Sequence, residues 1–164
     1  MAVLKIITGV DNKGLRACSA PVKKIDRKVK RLVAEMIETM QAVEGLGIAA
    51  SQVGENLRIF IARLNFDTAN EIIVPMINSE FLKISDETEE GEEGCLSVPR
   101  VFGIVRRAKT VTIKYTDLRG QPQTLNLSDL NARIVQHETD HIDGILFVDK
   151  MVREIKEKDA KNAI

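Results

Sequence analysis

The chain holds 2 histidines, and they stand four positions apart in Gln136-His137-Glu138-Thr139-Asp140-His141. Residues four apart on a helix share a face, one turn above the other. A helix here would aim both imidazoles at one point, the arrangement a divalent metal accepts. Glu138, beside the first imidazole, could then act on a water at the metal rather than bind the metal itself. The bland alternative is an ordinary helical face, with rings exposed or satisfied inside a core.

Two imidazoles do not complete a catalytic site, which takes three protein ligands and keeps one position open. No third histidine exists, so the three-histidine metalloprotease pattern is excluded. Glu154 and Glu157 follow, but only a short charged stretch separates them from the histidines. A thiolate is the better candidate. Cys95 sits in Glu93-Gly94-Cys95-Leu96-Ser97-Val98-Pro99, a glycine- and proline-bounded segment that can turn tightly toward a metal. Cys18 lies in Arg16-Ala17-Cys18-Ser19 and reads as a plain buried or surface thiol.

Periodicity names the elements that must carry these residues. Asp26 is a good N-cap, and Val29, Leu32, Val33, Met36, Ile37 and Met40 follow at helical spacing, with Lys28, Arg31, Glu35 and Glu38 on the wet side. The pattern predicts a helix over 26–43. The string Gly45-Leu46-Gly47-Ile48-Ala49-Ala50-Ser51-Gln52-Val53-Gly54 lacks the Gly-Lys-Ser/Thr ending of a phosphate loop. It is either a cap and packing turn or a place where an extended peptide can add as a strand. Strands are predicted over 57–64, 71–78 (with Pro75 marking an edge or a bulge), 80–85, 103–107, 110–117 and 123–127. Leu118-Arg119-Gly120-Gln121 reads as a hairpin turn, and the acidic run 86–93 as a solvated loop. The last main helix is predicted over 129–143, capped by Ser128 or Asp129 and ended by Gly144. Leu130, Ile134, His137 and His141 fall on nearly one line of it. Residues 151–164 read as a short charged tail, frayed or briefly helical. With no repeat or linker, a single α+β domain spanning 1–164 is expected.

Lys plus Arg is 24 and Asp plus Glu is 24, which argues against nucleic acid or an anionic membrane as the main partner. Aromatics are 4% with no Trp, so there is no platform for stacking bases. No apolar run approaches the roughly 20 residues of a membrane span, and Met1 to Val10 is too short and too weakly basic for an export signal. The expected compartment is therefore reducing, and the 2 cysteines are expected as thiols.

Three segments together, Gly45 to Gln52, Glu93 to Ser97 and Gln136 to His141, resemble the signature motifs of the peptide deformylases, in that family's order and spacing. The resemblance covers roughly residues 2–150. It implies an α+β fold with small mixed or antiparallel sheets around a central C-terminal helix bearing the His-Glu-x-x-His motif, plus an N-terminal helix. It also implies a hydrolase that removes the formyl group from the formyl-methionine of new proteins. By resemblance, Cys95, His137 and His141 hold one divalent metal, usually Fe²⁺, with Zn²⁺, Ni²⁺ or Co²⁺ able to replace it. Glu138 moves the proton, while the Gln52 amide and the Leu96 N–H receive the oxyanion. Gly45, Leu46, Gly47 and Ile48 pair with the peptide, with Gly94 nearby. Leu46, Leu130, Ile134 and His137 line a methionine pocket. Arg107 matches an arginine placed near the substrate, although Arg106 precedes it and competes for the role. The implied partners are N-formylmethionyl peptides of nascent chains, with transient proximity to the ribosome. A monomer is expected, working in a bacterial-type cytoplasm, in a host's cytoplasm if virus-encoded, or in an organelle.

Two departures stand out. Thr8-Gly9-Val10-Asp11-Asn12 replaces the usual Pro-Asp pair, and the chain stops soon after Lys150, where relatives continue into a longer helix. Two other readings compete: a different metallopeptidase or amidase using the same helix, and a structural metal protein completed by Cys18.

Overall fold

In the computed structural model, which describes residues 3–160, a one-turn helix α1 (Lys13–Arg16) is followed by helix α2 (Arg27–Ala42). The Asp26 carboxylate accepts from the Val29 N–H at 3.0 Å, as an N-cap should. The apolar stripe of α2 is buried, with Val33, Met36 and Met40 almost fully shielded from solvent. Burial on this scale contributes about 1.5–3 kcal/mol per large side chain.

Among the described residues, eight strands form two sheets. The larger has the order β1 (Gly47–Ala49), β2 (Ile59–Leu64), β3 (Ile72–Ile84), β6 (Thr110–Thr116), β7 (Pro122–Ser128). The smaller has the order β4 (Thr88–Cys95), β5 (Val98–Ala108), β8 (Met151–Ile155). Every pairing between these strands is antiparallel. Helix α3 (Asp129–Ile142) packs on the larger sheet and reaches the β4–β5 hairpin.

Strand β2 shows how the layers arise. Its residues alternate between faces. Ile59 and Ile61 join the α2 core, while Phe60, Ala62 and Leu64 join the core that holds Ala132, Ile134 and Val135 of α3. A strand covered on both faces must be apolar throughout, which is why Ile59 to Ala62 reads as an unbroken apolar run.

Three expectations need correction. The strands placed over 71–78 and 80–85 are one strand, because a register shift between Ile77 and Glu80 absorbs the polar Asn78-Ser79 step. Pro75 pairs with Ile61 of β2 before the β6 pairing begins, so it sits where β3 is locally an edge. The acidic run is β4 rather than a loop: it pairs with β5 along its length, and Arg106 and Arg107 meet Glu90 and Glu93. The tail is not helical at its start, because Met151 to Ile155 form β8 against Phe102 to Val105. Residues 161–164 of that tail lie outside the described residues. Among the described residues, no helix is long and apolar enough to cross a membrane.

Candidate metal centre

Helix α3 ends its buried line with His137 and His141, which are 2% and 1% exposed. Their rings lie edge to face with centroids 5.0 Å apart. Opposite them the β4–β5 hairpin brings Cys95, with its Sγ 3.2 Å from His141 Nε2. One donor atom from each of Cys95, His137 and His141 lies within 4.8 Å of the others, and all three residues are buried. Cys18 is exposed and stands outside this group.

The donor set fits a divalent ion. Two imidazoles and a thiol are the soft-to-borderline ligands that Fe²⁺ or Zn²⁺ accept and Mg²⁺ or Ca²⁺ do not. Burial pushes the Cys95 thiol up to about 12 and holds His141 well below its ordinary value. A buried thiolate therefore needs a cation to offset it. Two buried polar atoms here, His141 Nδ1 and Glu138 Oε2, have no hydrogen-bond partner among the described residues. His137 Nδ1 is 2.9 Å from Glu93 Oε2. Its proton belongs there because the acceptor is a carboxylate, so the other ring nitrogen is left to face the group.

Glu93 is the residue that sequence reasoning missed. It is fully buried and receives both Arg107 Nε at 2.8 Å and Arg133 Nη1 at 2.9 Å, as well as His137. Burial alone would raise its carboxyl, but the bonds from Arg107 and His137 hold it well below the usual carboxylate range. A usable signal existed in the sequence. On a strand, residues two apart face the same side, so a strand through Cys95 puts Glu93 beside it.

Arg107, expected near the substrate, is buried among acids. It is 4% exposed, and its guanidinium is committed to both Glu93 oxygens and to Asp140. In this way it braces Glu93 and Asp140 behind the ligands. Arg106 is exposed and pairs with Glu90 at 2.7 Å. Asp140 is also bonded to Lys150, at 2.7 Å.

Strand β1 lies at the edge of its sheet, paired on one side with β2. Of the two readings left open for the Gly45 string, an edge strand suits peptide addition better than a packing turn does. A Cβ on Gly45 would touch Leu96, whose turn joins β4 to β5. Gly94 is buried on β4 opposite Phe102. Gln52 follows β1 in a 3-10 turn (Ala50–Val53). Its Oε1 accepts from Ala49 N–H at 2.8 Å, which turns Nε2 toward Ser97 Oγ at 3.2 Å and Cys95 Sγ at 3.7 Å. Leu46 and Leu130 line a cavity of about 380 Å³ together with Phe66, Asp67, Glu89, Glu92 and Arg133. Ile134 is fully buried in the core, and neither it nor His137 reaches that cavity.

The chain matches the polypeptide deformylase family over residues 4–157. It is 42% identical to the peptide deformylase of Dictyoglomus thermophilum over 97% of this chain and 100% of that one. The chain belongs to the polypeptide deformylase family. Its fold matches the crystal structure of peptide deformylase from Thermotoga maritima with a TM-score of 0.86 at 38% identity, covering 93% of this chain and 100% of that chain. A Met-Ala-Ser-bound class I type b peptide deformylase from Acinetobacter baumannii matches with a TM-score of 0.84 at 38% identity, over 92% and 99% of the two chains. Members of this enzyme family use a divalent metal and remove N-terminal formyl groups from nascent proteins.

Gly47 offers a test of the site's spacing. A Cβ there would collide with the Glu138 carboxylate, so the backbone of β1 and Glu138 share one space. Gly47→Ala should displace that carboxylate and lower kcat by up to about 10²-fold, the usual cost of misplacing a reacting group by an ångström. Metal content should stay unchanged. Wild-type kcat in this variant would show that Glu138 need not sit where it does.

Proposed function

We propose that Cys95, His137 and His141 hold one Fe²⁺ ion in the cell, replaceable by Zn²⁺, Ni²⁺ or Co²⁺, and that the chain uses it to deformylate N-formylmethionyl peptides. The observation that carries this is the convergence of a buried thiol and two buried imidazoles beside a buried carboxyl whose Oε2 has no hydrogen-bond partner among the described residues. When bound, the metal supplies Lewis acidity, lowering the pKa of water toward neutrality and polarising the formyl carbonyl.

The chain's own residues do the rest. Glu138 takes the proton from the attacking water and returns it to the departing amine. Water oxygen joins the formyl carbon, the carbon–nitrogen bond breaks, and formate and a free amino terminus leave. The Gln52 Nε2–H donates to the developing oxyanion, aided by the Leu96 backbone N–H. Gly45 to Ile48 bind the peptide main chain along the open edge of β1, so affinity does not depend on each side chain. The methionine side chain enters the cavity lined by Leu46 and Leu130. The A. baumannii neighbour holds Met-Ala-Ser, a peptide that begins with this residue. The chain works as a single-domain monomer in the cytoplasm, close to the ribosomes that make its substrates.

Formate release from formyl-Met-Ala-Ser by anaerobically metal-loaded protein tests this directly. Activity is expected on the formyl peptide and not on acetyl-Met-Ala-Ser. A chelator should abolish it, and Fe²⁺, Ni²⁺ or Co²⁺ should restore it at one ion per chain. Cleavage of the acetyl or an internal peptide bond without formate release would overturn the proposal.

A further inference from the structure

The whole-chain balance of charge hides a local excess. Lys23, Lys24, Arg27, Lys28, Lys30 and Arg31 fall within nine residues, with Asp26 the only acid among them. Taking those six and Asp26 from totals of 24 and 24 leaves 18 basic and 23 acidic residues elsewhere. All six basic residues are exposed. Among the described residues, only Arg31 of the six makes an ion pair, with Glu35. Asp26 is engaged as the N-cap.

Their position goes against the helix. A helix start carries partial positive charge and favours acids in its first turn. Helix α2 has no acid in its first turn, begins Arg-Lys-Val-Lys-Arg, and has no base in its last turn. This arrangement gives up stability, and the two positive sources add to one field. Asp26 at the N-cap offsets only part of this, and a local rule broken this far is where a functional demand is expected. Beside this end of α2 lies a polar cavity of about 450 Å³, lined by Lys23, Lys30, Arg119, Asn78 and Thr116 among others. The concavity gives the field a place to receive an anionic group.

We infer that this face, at the N-terminal end of α2, docks on the phosphate backbone of double-helical RNA. An anionic membrane is the poorer fit: an interfacial helix buries an apolar face in lipid, whereas Val29, Leu32 and Val33 are already buried in the core. Single-stranded nucleic acid is also a poorer fit, because no aromatic residue stands in this stretch to stack on bases. The choice of RNA over DNA rests on the nascent-chain activity proposed above; the anion-binding face does not. The face is at the far end of α2 from Gly45. A helix of 16 residues is about 24 Å long, so docking leaves the peptide edge open.

Fluorescence anisotropy of the full chain against a labelled RNA hairpin, a DNA hairpin of the same sequence and phosphatidylserine vesicles tests the inference. The RNA hairpin should bind at about 50 mM salt, with log K falling against log salt at a slope of about −3 to −5, as several released counterions require. The triple variant Lys23→Glu, Lys28→Glu, Lys30→Glu should bind at least about tenfold more weakly. It should keep the wild-type melting temperature or exceed it, because acids now face the helix start, and formate release should be unchanged. Equal binding by wild type and variant, a flat salt dependence, or tighter binding to DNA or vesicles would overturn it. Binding is read without substrate, so its failure is separate from failure of the deformylase assay.

Discussion

Glu138→Gln is expected to lower kcat for formate release by about 10²–10⁴-fold, the range that a positioned general base contributes, while the protein stays folded and loaded with metal. The side chain is 1% exposed and lies against the backbone of Gly47, so the near-isosteric amide fills the same space. Burial, with the neighbouring Glu93 carboxylate, raises the Glu138 carboxyl well above its ordinary value. A neutral amide in that setting costs no more to bury than the carboxyl it replaces. What the amide cannot do is accept a proton from water and hand it to the leaving amine. The loss should appear in kcat with metal content near one per chain. Activity within about tenfold of the wild type would remove Glu138 from the proton path. A parallel loss of metal would make it a ligand rather than a base.

The elements that carry the site were legible because each rests on a short-range rule. Helix α2 followed from a stripe at helical spacing, and α3 from its start and stop residues together with the line through Leu130, Ile134, His137 and His141. The two-histidine pattern needed only one helical turn. What stayed hidden depends on contacts distant in sequence. Nothing local to the acidic stretch says that Arg107, 14 residues on, turns Glu93 inward, or that Arg133, 40 residues on, reaches the same oxygen. An acidic run without partners is a solvated loop; with them it is the strand that delivers Cys95. The tail was misread for the same reason, since β8 exists through its pairing with β5 and has little apolar pattern of its own. Gly91 carries a related signal. A Cβ there would collide with the Arg133 guanidinium, so a glycine in an acidic strand marks the entry of a helix side chain that donates to Val105 O and Glu89 O.

The same distant contacts separate two roles for Arg107. Its removal by Arg107→Ala is expected to destabilise the protein by about 3–5 kcal/mol, the usual cost of taking one partner from a buried ion network. Glu93 would keep Arg133 and His137, and among the described residues Asp140 would keep as its ion-pair partner only Lys150, whose side chain is 42% exposed. Metal affinity should fall by about 10–100-fold, because Glu93 is the group that orients His137. The acid limb adds a second readout. The folded Glu93 carboxyl titrates below its unfolded value of about 4.3, so its contribution is in force above that value and is lost as the pH falls through the lower, folded one. The variant should therefore lose less stability on acidification than the wild type does, having less left to lose. Denaturant unfolding across that pH range, with metal competition by a chelator at neutral pH, measures both effects. An arginine that instead touched the peptide would raise KM and leave unfolding and metal binding as they were. That outcome would return Arg107 to the substrate site and leave its buried contacts with Glu93 and Asp140 without an energetic role.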